Sequence, residues 1–252
     1  MENGACSQSA EIGQNTEFGH FCVICDNVRI GDNCVIGHHV VIHEGTRIGR
    51  NVRIDDHAVI GKQPMHAPNS AVTKEQIQPP AIIGDLCLLG TGVVIYAGCI
   101  LGEKVLVADL ATIREQVHVG DFTIVGRGAA IENQCEIGRY CKLETNVYLT
   151  AYSNIEDRVF MAPGVLTSND NFMGRTKERF EHFMGVTIRR GGRLGVGSVI
   201  LPGKQICPDG VVAAGALLTV DIDDPQIYSG LPARPFRPVP DEQLLDNQGW
   251  EK

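Results

Sequence analysis

Residues 101–143 read LGEKVLVADLATIREQVHVGDFTIVGRGAAIENQCEIGRYCKL, and every sixth position is aliphatic: Leu101, Val107, Ile113, Val119, Val125, Ile131, Ile137 and Leu143. Working outward, the same register reaches back to Ile83 through Leu89 and Ile95, and forward to Met161 through Leu149 and Ile155. It is already present upstream at Ile12, Phe18, Ile24, Ile30, Ile36, Ile42, Ile48, Ile54 and Ile60, and it returns at Ile188, Leu194, Ile200, Ile206, Val212 and Leu218. Runs of nine, fourteen and six make 29 hexads. Four places after the aliphatic residue the side chain is small or β-branched, as at Cys22, Val28, Cys34 and Val40, and the next place after the aliphatic is usually glycine. A period of six is a multiple of the strand period and does not match the helical one, so each hexad is a short extended segment closed by a tight Gly- or Asn-bearing turn. No single hexad can cover its own apolar side. Stacking successive turns of backbone at about 4.8 Å buries a continuous core, which makes the chain an all-β solenoid. A narrow interior also accounts for 29 glycines beside only 6% aromatic residues.

Composition narrows the function classes. A formal net charge of -8 repels phosphate backbones, so nucleic acid is not an expected partner. Apolar residues never run to the roughly 18 in a row that a membrane-spanning helix needs, so no membrane partner is expected. The N-terminal MENGACSQSAEIG has neither a basic nor an apolar leader region, and the nine cysteines read as reduced thiols, which together point to the cytoplasm.

Two stretches break the ladder: residues 62–82, rich in proline and polar residues, and residues 168–187, which mix charge with Phe172, Phe180 and Phe183. Both read as loops leaving the column. The solenoid domain is therefore expected over 1–222. The tail, 223–252, holds Pro225, Pro232, Pro235, Pro238 and Pro240, which argue against further ladder, and a short helix is expected near Asp241 to Asn247 in an otherwise coil segment.

If three hexads close one turn of the solenoid, residues 18 apart share a column. One outward column runs Glu115, Asn133, Ala151, Asn169, and its neighbour runs Arg114, Glu132, Thr150, Ser168. On another corner Asp109, Arg127 and Thr145 stack, with Gly126 and Glu144 beside them. Histidine is the usual general base. His118 and His182 are read in that role, against the plainer reading of surface residues. His38 and His43 lie five apart with His20 one turn below His38, a spacing that resembles the histidine pair of zinc carbonic anhydrases built on such a repeat, but the third histidine that this resemblance implies about two turns away is missing, so no metal site is expected. Cys22, Cys34, Cys87, Cys99, Cys135 and Cys141 take the small inward position, and Cys22-x-x-Cys25 alternates inward and outward rather than forming a redox motif.

The repeat of aliphatic, glycine, two variable, small and variable residues resembles that of the hexapeptide-repeat acyltransferases over about residues 11–222. The resemblance implies a left-handed parallel β-helix, a triangular prism with three hexads per turn. The tail is too short for the helical cap of lipid A acyltransferases. The phrases VIGKQP, LATIRE, GRGAAIEN, KLETNVYLTAYSNIED and VLTSNDN are similar to those of nucleotide-sugar N-acetyltransferases, while VGSVILPG, VAAGALL and SGLPARPFR are similar to their coenzyme A end. That implies acetyl-CoA or another acyl-CoA as co-substrate, no tightly bound cofactor, a nucleotide-linked dideoxy-amino sugar as acceptor, and a homotrimer with substrates in the grooves between subunits. On this reading Asp109, Glu115, Glu132, Asn133 and Glu144 are the catalytic candidates. Asn146 or a backbone N–H would serve the oxyanion, and His66, Asn69, Ser70, Asn169, Asp170 and Arg175 would hold the nucleotide-sugar. Gly197, Ser198, Ala214, Gly215, Pro232, Ala233 and Arg234 would meet coenzyme A. The alternatives are an O-acetyltransferase with a histidine base, and a carbonic-anhydrase-like or structural β-helix.

Overall fold

The computed structural model describes residues 4–70 and 76–250. Strands of two to four residues recur from Ala5–Cys6 to Leu217–Leu218 and sort into three parallel sheets, here faces A, B and C in the order the chain visits them. Register is regular: Ile113 pairs with Ile131, Ile137 with Ile155, and Val125 with Leu143. The result is the three-sided left-handed parallel β-helix that the family resemblance implies, built on the solenoid that the hexads predict.

Each of the 29 aliphatic positions falls on a strand, and the structure adds two that lack a large apolar residue, at Cys6 and Thr167. Side chains such as Ile24, Ile60, Ile95, Leu101, Ile131 and Leu143 are almost wholly removed from water. Burial of one such residue contributes about 1.5 to 3 kcal/mol. Six cysteines fill the small position, each donating its thiol to the carbonyl 15 residues on, as from Cys99 to Arg114 at 2.8 Å and from Cys22 to Gly37 at 3.0 Å. Burial pushes the Cys87 and Cys141 thiols up to about 11 and those of Cys99 and Cys135 up to about 12.

Glycine follows the aliphatic residue because the next turn lies directly above. A Cβ on Gly138 would come within 2.4 Å of Asp157 Oδ1 and 2.6 Å of its backbone nitrogen. Most corners also hold one residue in the left-handed region, but many are neither glycine nor asparagine: Leu110, Phe122, Tyr140 and Arg158 all have φ near +60°. That conformation costs roughly 1–2 kcal/mol. It is offset by an added backbone bond from each of these residues, as from Tyr140 N–H to Asp121 O at 3.0 Å, and by stacking along the column, as of Phe122 on Tyr140 at 4.8 Å.

Both interruptions leave the corner between faces A and B. Ile48 pairs with Ile83, 35 residues on instead of 18, and Ile155 pairs with Ile188, 33 on, so loops of 17 and 15 extra residues are thrown out while the ladder of aliphatic pairs continues across them, the first leaving at a bulge between Ile60 and Lys62. They stand five rungs apart, about 24 Å.

The tail differs from its expectation. Gln226–Gly230 pairs in parallel with Val211–Val212, adding a rung to face C, and Ala233–Pro238 folds back antiparallel on it. The prolines are tolerated because Pro235 and Pro238 lie on the outermost strand, where no further partner needs their missing N–H. Two short 3-10 turns, Asp241–Gln243 and Leu245–Asn247, stand where one helix was expected. They dock on the B/C corner: Leu245 N–H donates to Asp209 at 3.1 Å, and Arg190 pairs with Asp246 at 3.1 Å. A wide recess of about 880 Å³ there, lined by Arg139, Tyr140, Asp157, Arg158, Arg190, Asp246 and Trp250, alternates charge from rung to rung. Its Arg139 pairs with Asp121 at 3.2 Å.

Candidate active site

The A/B corner departs from the rule that glycine follows the aliphatic residue. Elsewhere that place is held by residues such as Gly102, Gly120 and Gly138, whereas here it holds Cys25, His43, Tyr96, Arg114, Glu132, Thr150 and Ser168, with Gly61 the exception. Side chains therefore crowd one edge of the prism between the two excursions. Arg114 forks onto Glu115, Nε to Oε2 at 2.9 Å and Nη2 to Oε1 at 3.1 Å, and its Nη1 lies 3.5 Å from Glu132 Oε2. Tyr96 lies between two cations, Arg114 at 5.1 Å and Lys62 at 5.5 Å from the ring centre. Burial opposes the charge on Arg114, but the Glu115 fork and nearby Glu132 raise its pKa overall.

Glu115 and Asn133 are only 5% and 3% exposed. Glu115 is matched by Arg114, but Asn133 Oδ1 is buried with no hydrogen-bond partner among the described residues. An orphaned acceptor of this kind costs about 1–3 kcal/mol unless something occupies it. It belongs to a recess of about 150 Å³ lined by Gln76, Gln78, Glu115, Gln116, Asn133, Gln134 and Tyr152. Burial raises the Glu132 carboxyl above its ordinary range, Arg114 pulling it back and Glu115 adding to the rise. Burial, then the nearby Glu132, raises the Tyr148 phenol, against a bond from Thr150.

The five catalytic candidates fall on two corners. Glu115, Glu132 and Asn133 converge at A/B, while Asp109 and Glu144 lie on C/A with Asn146. Asp109 Oδ1 accepts the Thr91 N–H at 2.9 Å, the corner-capping job also done by Asp32, Asp56, Asp85, Asp121 and Asp157. Glu144 is half-buried, and Asn146 is a left-handed corner residue with φ 58°. In the first excursion, His66 and Asn69 are exposed and Ser70 closes a turn onto Ala67 at 2.8 Å; Gln76 and Gln78 line the recess instead. In the second, Asp170 organises its own loop, taking the N–H groups of Phe172 and Gly174 and pairing with Arg179 at 3.0 Å. Asn169 accepts the Met184 N–H, and Arg175 is exposed. The loop's phenylalanines pack among themselves and its histidine, Phe172 on His182 at 5.8 Å and Phe180 edge-on to Phe183 at 6.0 Å.

The coenzyme A candidates gather at C/A and the tail. Gly197 and Gly215 stack above Gly164, and a Cβ on any of the three would meet open space. Ala214 is exposed, while Ser198 is wholly buried with its Oγ unpartnered among the described residues. Pro232, Ala233 and Arg234 form the turn and start of the last strand; Ala233 is buried and Arg234 is exposed, bonding Ala233 O at 2.9 Å.

The remaining histidines take other places. His38 Nδ1 accepts the His20 N–H and the two rings stack at 5.3 Å; His39 stacks on His57 at 4.9 Å. His43 is half-buried, and burial and Lys62 lower its pKa. Among the described residues no three His, Cys, Asp or Glu side chains come together to hold a metal. His118 Nδ1 lies 3.1 Å from a Glu136 carboxylate oxygen on face B. Sequence reasoning missed Gln78, Gln116, Gln134, Tyr96 and Tyr148; the absence of glycine from every third hexad was the available signal for the corner.

Residues 2–113 match the family model described as the GMPPB C-terminal domain, which is less than half of the chain. A search of curated proteins found no match. Among solved structures, the UDP-N-acetylglucosamine acyltransferase of Francisella novicida is 25% identical over 85% of this chain and 66% of its own, with a TM-score of 0.53. The chain thus spans just under two thirds of that enzyme. The fold is that of the hexapeptide-repeat acyltransferases. The Arabidopsis UDP-N-acetylglucosamine acyltransferase superposes at a TM-score of 0.64 with 14% identity over 93% of this chain and 72% of that one. The UDP-N-acetylglucosamine O-acyltransferase of Moraxella catarrhalis gives 0.51 with 18% identity, over 99% and 77%.

Proposed function

We infer that the protein is an acyl-CoA-dependent N-acyltransferase, with acetyl as the acyl group, acting on the amine of a nucleotide-linked dideoxy-amino sugar. The observation that carries this reading is the buried Asn133 Oδ1, an acceptor without a donor beside the buried Glu115, in a recess lined by neutral amides. Such a recess suits an incoming N–H group. The similarity to the Francisella acyltransferase supports acyl transfer in general.

The chemistry asks little of the protein. A sugar amine is less basic than a lysine at about 10.4, so part of it is neutral near pH 7, and a departing thiol at about 8.5 can carry off the proton. The lone pair attacks the thioester carbonyl directly, and no acyl-enzyme is needed. Asn133 accepts an amine hydrogen, and Glu115, held beside it by the Arg114 fork, orients the amine through its negative charge. Glu132, whose carboxyl burial raises above its ordinary range, is the group to relay the amine proton to the departing thiolate.

Face A joins the two corners, and its outward row is largely apolar: Val23, Val41, Val59, Val94, Ala130, Tyr148, Leu166, Val199 and Leu217. That row supports a homotrimer in which the A/B recess of one subunit faces the small-residue C/A corner of another, where the pantetheine arm would lie. The reduced thiols support a cytoplasmic enzyme. The test is thiol release from acetyl-CoA with matched amino and hydroxyl nucleotide sugars. Turnover only with the amine is expected, and turnover only with the hydroxyl overturns the reading. The His118–Glu136 pair favours one second reading, an O-acyltransferase with His118 as base, and that pair predicts loss of activity in His118→Ala.

A further inference from the structure

The returning half of the first excursion is tied into the recess by a column of amides. Gln78 is only 6% exposed. Its N–H donates to Gln63 Oε1 and its carbonyl accepts from Gln63 Nε2, both at 2.9 Å. Gln78 Oε1 accepts Gln116 Nε2 at 2.9 Å, and Gln116 Oε1 accepts Gln134 Nε2 at 2.8 Å. Gly98 leaves the space for this: a Cβ there would sit 3.4 Å from Gln78 Oε1, and the Gly98 N–H donates to Pro79 O at 2.6 Å.

An amide column has a direction, because reversing one member sets two NH₂ groups or two carbonyls against each other. Here the direction starts at the Gln76 carbonyl, which can only accept and which receives Gln78 Nε2 at 3.5 Å. Each amide then donates towards the excursion. At the far end Gln134 is exposed, its Oε1 accepts no protein bond among the described residues, and it lines the recess with Asn133, whose Oδ1 is the buried orphan. The column therefore ends in a pair of open acceptors.

We propose that Gln78 is a positioning residue: acting through Gln116, it fixes Gln134 with its amide oxygen free, so that the recess presents two acceptors and selects a primary amine over a hydroxyl. A primary amine has enough hydrogens to satisfy two acceptors, and a hydroxyl has one. This rests on the N-acyltransferase reading and adds to it the source of acceptor selectivity.

The experiment compares wild type, Gln78→Glu and Gln78→Met by thiol release from acetyl-CoA with the matched amino and hydroxyl nucleotide sugars. Gln78→Glu keeps an acceptor oxygen facing Gln116, and Gln78→Met removes it at similar size. The amine-to-hydroxyl ratio of kcat/KM is expected to hold in Gln78→Glu and to fall about three- to tenfold in Gln78→Met, mainly through KM for the amine. An unchanged ratio in Gln78→Met, or an equal loss in both variants, overturns the proposal. The side-chain amide resonances of Gln116, read without substrate, test the column separately. A bonded, slowly exchanging Nε2 hydrogen is expected in wild type and Gln78→Glu and is lost in Gln78→Met. A Gln116 amide indifferent to Gln78→Met overturns the column, whereas wild-type protein that acylates neither acceptor overturns the N-acyltransferase reading and the selectivity with it.

Discussion

Thr167 stands where a hexad calls for an aliphatic residue, and its hydroxyl explains why. Its Oγ1 accepts the Thr150 N–H at 2.8 Å and donates to Tyr148 O at 3.1 Å, replacing a ladder bond next to the second excursion. Thr167→Val should leave the buried Thr150 N–H unpaired and lower stability by about 1–3 kcal/mol in denaturant titrations. Glu132 shows a different use of an exceptional position. Its raised pKa means the folded state holds the proton more tightly than the unfolded chain, so its stabilising effect is present at low pH and lost as pH rises through the folded value. At neutral pH, Glu132→Gln should therefore raise the melting temperature slightly. If Glu132 takes the proton, the acid limb of the kcat–pH profile should lie above the ordinary carboxylate value of about 4.3 and should vanish in the same variant. Both residues were visible in the sequence as departures from the repeat; which atoms they served was not, because that depends on a neighbour 17 or 18 residues away.

The corner is the element that turns repeat into site. At an ordinary corner, glycine lets the next turn approach and an aspartate caps it, so Gly138→Ala should cost about 1–3 kcal/mol through the clash with Asp157, seen as a lower urea midpoint. At A/B the glycine is given up, and Arg114 and Glu132 gain a half-exposed place on the edge while Thr150 is buried beneath it. The hexads located the strands and both excursions with no slip, since burial on one side dictates register. They did not reveal the left-handed Phe122, Tyr140 and Arg158, whose backbone strain is offset by stacking between turns. Nor did they reveal the final hairpin, because proline reads as a breaker unless its strand is known to lie at an edge. Asp109 was read as a catalytic candidate from its column, and the Thr91 N–H shows it capping a corner.

At the scale of the molecule, the column is stiff, parallel and free of disulfides. Six cysteines are buried, whereas Cys6 is exposed and Cys25 and Cys207 are half-exposed. An aromatic disulfide reagent should therefore modify three thiols in the folded protein and all nine in denaturant. More than three in the native state would show that the column breathes. The apolar outward row of face A should hold subunits together in sedimentation at micromolar concentration, and a charge introduced by Val94→Asp should release monomers. The solenoid was legible from 29 repeats, while its three sides and its hand came from the family resemblance; the site was half legible, because the repeat says which residues share a corner but not which corners meet.

The most direct measurement is steady-state thiol release from acetyl-CoA with a nucleotide-linked amino sugar, comparing wild type with Glu115→Gln. Amine-dependent turnover in wild type and a fall of about 10²-fold in kcat for Glu115→Gln, with KM nearly unchanged, is the expected result. Equal turnover by the two proteins, or none by wild type on any amine, would contradict it.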